Sequence, residues 1–181
     1  MPDILLLVYA AVLGACVGSF LNVCVYRWPE GQSVVSPPST CPGCGTRIRW
    51  YDNVPVFGWL WLRGRCRACG ERISAQYPIV ELTAASLWVA AVLRYGFGWE
   101  ALSAALFFTL LLGIALTDAR TYIIPDQFTL GGLVIGLLLS LAPGGIEPLQ
   151  SVLGAVLGFV LLWVVAVLGE WVFQKPAMGG G

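Results

Sequence analysis

The sequence predicts an all-α polytopic membrane protein with a small zinc-binding domain between its first and second spanning helices. Of its 181 residues, 58% are hydrophobic and only 11% are charged, whereas a soluble domain carries about 25% charged residues. Two CxxC pairs in the one long polar stretch predict the zinc site. The chain contains no histidine, which excludes Ser-His and Cys-His catalysis and histidine-bound metals.

Five apolar segments approach the length of about 20 residues that a helix needs to cross a bilayer. They are residues 4–26, 78–95, 100–117, 123–142 and 149–173. The fourth is short, and its three glycines are candidates for a close contact between helices; they are Gly131, Gly132 and Gly136. Residues 1–3 have no basic n-region, so we expect the first segment to be retained as a span rather than cleaved as a signal peptide.

The polar stretch at residues 27–77 reads as a small soluble domain inserted into the helical bundle. It contains five prolines, seven arginines and four cysteines and is too polar to span. The chain is therefore expected to divide into a first span at residues 1–26, this domain, and a four-span membrane portion at residues 78–181.

The basic residues predict the orientation of the chain in the membrane. If residues 27–77 are cytoplasmic and the chain changes sides at every span, nine of the ten basic residues lie inside and only Arg94 lies outside. The amino terminus is then outside. The cysteine domain, Asp118 and the carboxyl terminus share the cytoplasmic side.

The four cysteines of the polar domain have the spacing of a structural zinc site. Cys41 and Cys44 form one pair, Cys66 and Cys69 form the other, and 21 residues lie between the pairs. Four thiolates close the tetrahedron around Zn²⁺ and leave no open position, so the metal would be structural. The alternatives are two disulfides, which are rare on the reducing cytoplasmic side, and a redox CxxC, which needs only one pair.

Asp118 is the main candidate for chemistry, because it lies at or just inside the end of the third apolar segment. A carboxylate within a span costs at least about 2.5 kcal/mol at the helix centre and is a functional hypothesis by default. The alternative is that it marks the point where a helix leaves the bilayer. For peptide hydrolysis, the lack of histidine and of an open metal site suggests an aspartyl mechanism, in which two carboxylates share a proton.

Three other acids are candidate partners of Asp118. Asp126 is about 12 Å further along an ideal helix, but Pro125 interrupts that helix, and Asp126 is favoured as a helix N-cap. Glu81 begins the second span and is given a supporting role, with an interfacial acid as the alternative. Glu170 is interpreted as an interfacial acid near the end of the fifth span.

Several motifs form an ordered set along the whole chain. They are GSFLNVCVYRWP at 18–29, the two CxxC pairs, DNVP at 52–55, WLRGRC at 61–66, QYPIVEL at 76–82, and Asp118 followed by IPD at 124–126. This set resembles the type IV prepilin peptidase family, the leader peptidases and N-methyltransferases of pilus and type II secretion systems. No single motif of the set would be specific by itself.

The resemblance implies that Asp118 is one catalytic aspartate and that a GxGD motif supplies the second. Gly179, Gly180 and Gly181 match the first three positions of that motif. We therefore expect the second aspartate directly after Gly181. The chain is then an N-terminal portion of a prepilin peptidase that is inactive by itself. The alternative for this glycine run is a flexible tail.

The resemblance also implies two reactions in the bacterial inner membrane, at its cytoplasmic face. The leader of a type IV prepilin or a type II pseudopilin is cleaved, and S-adenosylmethionine then methylates the new amino terminus. No residues are assigned to the methyl donor, and no nucleic-acid partner is expected. The alternative functions are a zinc-stabilised scaffold that binds pilin-like partners without cutting them, and a transporter with Asp118 as a proton relay.

Overall fold

The computed structural model describes residues 3–143 and 146–174, and its regular structure there is helical. Two isolated β-bridges are the only strand-like pairings within these ranges. A short 3₁₀ helix covers Trp50–Asn53. The α-helices are α1 (Ile4–Arg27), α2 (Phe57–Trp61), α3 (Gln76–Tyr95), α4 (Trp99–Thr121), α5 (Asp126–Ser140) and α6 (Pro148–Phe173).

Four of these helices, α1, α3, α4 and α6, are long and apolar enough to cross a membrane, which confirms the predicted class of protein. The predicted fourth span is shorter than expected: α5 has 15 residues and a length of about 22 Å, against about 30 Å of hydrocarbon. Its extended Pro125 and the turn at residues 141–143 shorten it at both ends. Conversely, α4 continues past the predicted residue 117 to Thr121.

Helices α1 and α3 pack closely because two glycines of α1, one turn apart, face small residues of α3. A Cβ atom at Gly14 would lie 2.8 Å from the Ala85 Cα atom, and one at Gly18 would lie 2.8 Å from the Ala84 Cβ atom. Both distances are shorter than van der Waals contact, so glycine is required there. This is the small-xxx-small arrangement of membrane helices.

The glycines predicted to mark a close contact in α5 do not do so. A Cβ atom at Gly131 or Gly136 would meet nothing within 4 Å, and one at Gly132 would meet only the flexible Leu110 side chain. A small residue permits close approach, but a neighbouring helix must also be present. Beside α5, the glycine in close contact is Gly113 of α4, which faces the Phe128 ring.

Helix α4 runs back along α3 after a connection of three residues at 96–98. A buried hydrogen bond joins the two helices, from the Trp88 indole N–H to the Thr109 hydroxyl at 3.0 Å. An apolar cluster surrounds it, with Ala10 from α1 and Ala101 from α4. Helices α1, α3 and α4 therefore form the buried part of the bundle.

Helix α6 is apolar around its whole circumference, and none of its residues in the spanning window is buried within the described structure. A helix that is hydrophobic on every face is typical of a membrane span. It packs against α5.

Candidate zinc site and membrane carboxylate

The two CxxC pairs lie on two short hairpins that repeat the same sequence pattern. Residues 41–48 and 66–73 both read C-x-x-C-G-x-R-I. The glycine after each pair, Gly45 or Gly70, has a positive φ of +69° or +75°. An L side chain is disfavoured at such an angle, whereas glycine adopts it at little cost. The repeat thus gives both halves of the site the same turn.

The backbone hydrogen bonds of the two hairpins match each other. In the first hairpin, the Cys41 N–H donates to the Thr46 carbonyl at 3.0 Å, and the Gly45 N–H donates to the Cys41 carbonyl at 2.9 Å. The second hairpin has the equivalent bonds at 2.8 and 3.0 Å. Each turn consequently holds its two cysteine side chains together.

The four sulfur atoms lie within 4.8 Å of one another, which confirms the predicted grouping of Cys41, Cys44, Cys66 and Cys69. The Cys41 and Cys69 sulfurs are 3.8 Å apart, and those of Cys44 and Cys66 are 4.0 Å apart. Zn–S bonds of about 2.3 Å in a tetrahedron separate the sulfurs by about 3.8 Å. All six cysteines are free. The spacing fits a four-thiolate zinc ion rather than disulfides.

Hydrogen bonds lower the pKa of two of these thiols, which favours the thiolate form that binds metal. A hydrogen bond with the Thr46 hydroxyl lowers the pKa of Cys44 to about 6. The pKa of Cys66 is lowered by the backbone N–H groups of Cys69 and Ala68. The Glu71 backbone lowers the pKa of Cys69, but hydrogen bonds with the other thiols and desolvation together raise it to about 12. A metal ion held by these four cysteines would replace the remaining thiol protons.

An ion pair braces the second hairpin against the 3₁₀ helix. The Arg67 guanidinium donates two hydrogen bonds to the Asp52 carboxylate, at 2.6 and 2.9 Å. The Asp52 side chain is only 6% exposed, whereas that of Arg67 is 42% exposed. The hydrogen bond from Arg67 holds the pKa of Asp52 below its usual value. The bidentate geometry fixes the hairpin in orientation as well as in position.

Glu81 attaches this cysteine-containing segment to the helical bundle. Its side chain is buried near the start of α3, and its carboxylate accepts a hydrogen bond of 2.6 Å from the Val56 N–H. Val56 has a φ of +62°, a strained angle for a β-branched residue. The predicted supporting residue therefore holds the start of α2 in place.

Side chains from three helices meet at this same end of the bundle. The rings of Tyr26 (α1) and Tyr77 (α3) stack, with centroids 5.8 Å apart and planes 4° apart. The Arg120 guanidinium (α4) lies 3.6 Å from the Tyr26 ring centroid. One helical turn before Tyr26 on α1, the buried Asn22 side-chain amide donates a hydrogen bond to the Tyr77 carbonyl at 3.2 Å. These contacts hold the three helix ends in register.

Asp118 lies one turn before the end of α4, on the side of the helix that is exposed in the described structure. Arg120 is about 200° further around the helix and faces α1, so Asp118 is directed away from α1. Its neighbour Thr117 is completely buried. Ala115 and Ala119 are exposed beside the carboxylate. The carboxylate is thus accessible at the end of the bundle that carries the cysteine hairpins.

Asp126 is the first residue of α5, and the predicted N-cap assignment is wrong. Pro125 occupies the N-cap position in an extended conformation, and no side chain caps the helix. The exposed Asp126 carboxylate lies in the first turn, where it interacts favourably with the helix dipole. A left-handed Tyr122 ends α4 before it, so the two aspartates lie on separate helices.

The glycine run that resembles the GxGD motif lies outside the described residues; it consists of Gly179, Gly180 and Gly181.

Sequence reasoning did not identify the contacts of Asn22, Tyr26 and Arg120, although the first two lie in the quoted motif at residues 18–29. The sequence also contains the same Arg-Ile pair one residue after each CxxC-G. It shows that residues 41–48 and 66–73 form equivalent halves of one site.

Two family models match successive parts of the chain. Residues 12–95 match the bacterial peptidase A24 N-terminal domain, and residues 105–181 match the type IV leader peptidase family. No solved structure matches.

Three similar proteins are each named prepilin leader peptidase/N-methyltransferase. The protein of Myxococcus xanthus is 41% identical, and the match covers 96% of this chain and 52% of that protein. The protein of Neisseria gonorrhoeae is 36% identical, over 95% of this chain and 68% of its own length. That of Pseudomonas putida is 39% identical, over 95% and 67%. The chain spans about half of the Myxococcus protein and two thirds of the others. These matches show that the chain belongs to the type IV prepilin leader peptidase family.

Proposed function

We propose that this chain forms part of a membrane aspartyl peptidase that cleaves the leader of type IV prepilins or type II pseudopilins and methylates the new amino terminus. The observation that carries the proposal is the exposed carboxylate of Asp118 at the end of a membrane-spanning helix. The names of the relatives support the two reactions.

Asp118 is proposed as one half of an acid/base pair. One carboxylate takes a proton from water while the water oxygen bonds to the scissile carbonyl carbon. The other carboxylic acid hydrogen-bonds to the carbonyl oxygen. When the C–N bond breaks, a proton passes to the leaving nitrogen, which becomes the new amino terminus. Because two adjacent carboxylates cannot both ionise readily, the pair shares one proton.

The second carboxylate is proposed to follow Gly181, as the resemblance of Gly179–Gly181 to the GxGD motif implies. The match covers 52% of the Myxococcus protein and 68% of the Neisseria protein. Glu81 is not proposed as the partner, because its carboxylate is buried and bound to the Val56 N–H. Its role is to position the cysteine hairpins, and Asp126 is given a supporting role at the start of α5.

Zinc is proposed as a structural ion bound by Cys41, Cys44, Cys66 and Cys69. Four thiolates complete its coordination, so the ion supplies rigidity and no step of hydrolysis. S-adenosylmethionine is proposed as methyl donor on the naming of the relatives alone.

The arrangement in the membrane completes the proposal. We propose a first span at residues 1–26, a cytoplasmic zinc domain at 27–77 and a peptidase portion at 78–181 in the bacterial inner membrane. The distribution of basic residues supports a cytoplasmic site and an external amino terminus. A site at the bilayer boundary suits a substrate whose cleaved bond adjoins an apolar helix.

The test is an Asp118→Asn variant of the protein expressed from its complete gene, reconstituted with a prepilin. We expect leader cleavage to fall by at least about 100-fold, because loss of one acid/base group costs a factor of this order. Glu170→Gln is the matched control, since Glu170 is another exposed acid near the end of an apolar helix. Cleavage retained by Asp118→Asn would remove Asp118 from the mechanism and favour a binding function.

A further inference from the structure

We propose that the outer face of α2 lies in the boundary between lipid headgroups and hydrocarbon, where the arginines that follow it bind anionic phospholipid. This α2 face consists of Phe57, Leu60 and Trp61. The bilayer is thus a partner of the cysteine-containing segment, whether or not the chain has the proposed peptidase activity.

The first observation is the exposure of three large apolar side chains on one side of a short helix. Phe57, Leu60 and Trp61 are 71%, 55% and 81% exposed. Their spacing of i, i+3 and i+4 places them on one helix face. A tryptophan and a phenylalanine on such a face are typical of segments that lie in the membrane interface.

The second observation is that the opposite side of α2 is already packed. The backbone at Gly58 lies against the Asp52 carbonyl, where a side chain would overlap it. The Trp59 indole N–H donates to the Ile73 carbonyl at 3.1 Å, and its ring lies against Gly64. The helix therefore cannot turn to bury the α2 face within its own domain.

The third observation is the depth at which α2 is held. Helix α3 has 20 residues and a length of about 30 Å, which equals the thickness of the hydrocarbon layer. Glu81 lies about 7 Å along it from Gln76. Because the Val56 N–H is bonded to the Glu81 carboxylate, α2 begins beside the boundary of the bilayer.

The fourth observation is the charge that follows the α2 face. Arg63 and Arg65 come directly after the helix, and both are exposed. Among the residues that the structure describes, neither of these arginines forms a salt bridge, whereas Arg67 is paired with Asp52. Exposed arginines beside an apolar face match a surface of anionic lipid. They do not favour a purely apolar protein partner, which would leave their charges uncompensated.

The experiment uses protein labelled with fluorotryptophan and reconstituted into nanodiscs of phosphatidylcholine and phosphatidylglycerol. Trp→Phe variants assign the fluorine resonances. One sample contains lipid that is spin-labelled near the top of its acyl chain, and another contains a water-soluble gadolinium chelate. Trp59, on the inner side of α2, is the matched control, and the exposed Trp171 of α6 is the positive control for lipid contact.

We expect the spin-labelled lipid to broaden the Trp61 resonance several-fold more than the Trp59 resonance. We also expect gadolinium to broaden Trp61 little. Broadening of Trp61 by gadolinium but not by lipid would show a face in water and overturn the proposal. Protection from both agents would show that a protein covers the face, and would also overturn it.

A second comparison tests the role of charge. In the wild type, adding phosphatidylglycerol to phosphatidylcholine nanodiscs should increase the lipid broadening of Trp61. In a variant that combines Arg63→Gln with Arg65→Gln, the increase should disappear. An increase of equal size in both proteins would overturn the anionic-lipid part of the proposal.

Discussion

Glu81 is a charged residue within a spanning helix, and its partner is a backbone N–H 25 positions earlier in the chain. The sequence predicted a supporting role from its position, but this long-range pairing has no local signature. The four zinc-site cysteines were predictable because the CxxC spacing itself specifies a turn that brings two sulfurs together. The Asp126 N-cap was predicted wrongly: the extended Pro125 takes the cap position, so α5 begins at Asp126, one residue earlier than an Asp126 cap implies.

At the residue scale, we predict that Glu81→Ala destabilises the attachment of α2. The Val56 N–H would lose its partner, and an unsatisfied buried donor costs about 1–3 kcal/mol. Limited proteolysis should therefore cut between residues 54 and 62 several-fold faster than in the wild type. Glu81→Gln, which keeps an acceptor oxygen, should restore much of the protection. Equal cleavage of Glu81→Ala and the wild type would show that the hydrogen bond does not hold α2.

At the scale of elements, composition located the apolar helices to within a few residues, because a continuous apolar run is itself the signal for a span. The partners of these helices were not predictable. Helices α1 and α6 are apolar on all sides, so no stripe of polar residues indicates which face is buried. The close contact between helices lies at Gly14 and Gly18 of α1, which face α3. The sequence predicted such a contact at the glycines of α5 instead.

We predict that Gly18→Leu weakens the contact between α1 and α3. A Cβ atom at this position would lie 2.8 Å from the Ala84 Cβ and 2.9 Å from the Glu81 Cα, and overpacking of this kind typically costs about 1–3 kcal/mol. Thermal unfolding in detergent should occur several degrees lower. Gly154→Leu is the matched control, because Gly154 of α6 has open space around it. Similar melting temperatures for both variants would contradict the packing assignment.

At the scale of the whole molecule, the polar segment and the bundle are joined at one end. The Tyr26–Tyr77–Arg120 stack holds the ends of three helices there, and the Glu81 bond attaches α2 beside them. The sequence predicted that the cysteine segment and Asp118 share one side of the membrane, from the placement of basic residues. The stack itself depends on three distant segments, and no local pattern reveals it.

We predict that zinc stabilises the cysteine hairpins but not the membrane helices. A chelator should make the four cluster cysteines reactive to alkylation and open residues 28–75 to proteases, because the bound metal contributes directly to the folding of such small sites. Far-UV circular dichroism should change little. Cys44→Ser should abolish stoichiometric zinc, whereas Cys16→Ser, which alters an exposed cysteine outside the cluster, should retain it. Unchanged thiol reactivity after chelation would contradict the zinc site.

The three-residue connection between α3 and α4 fixes the depth of Asp118. From that connection, Asp118 lies about 28 Å along α4, which is level with Gln76 at the start of α3. So short a turn prevents the two helices from sliding past each other. The distance between the Asp118 carboxylate and the opposite face of the bilayer is therefore fixed. A peptidase built in this way would select the bond to cut by its height above the hydrocarbon, as well as by the residues around it.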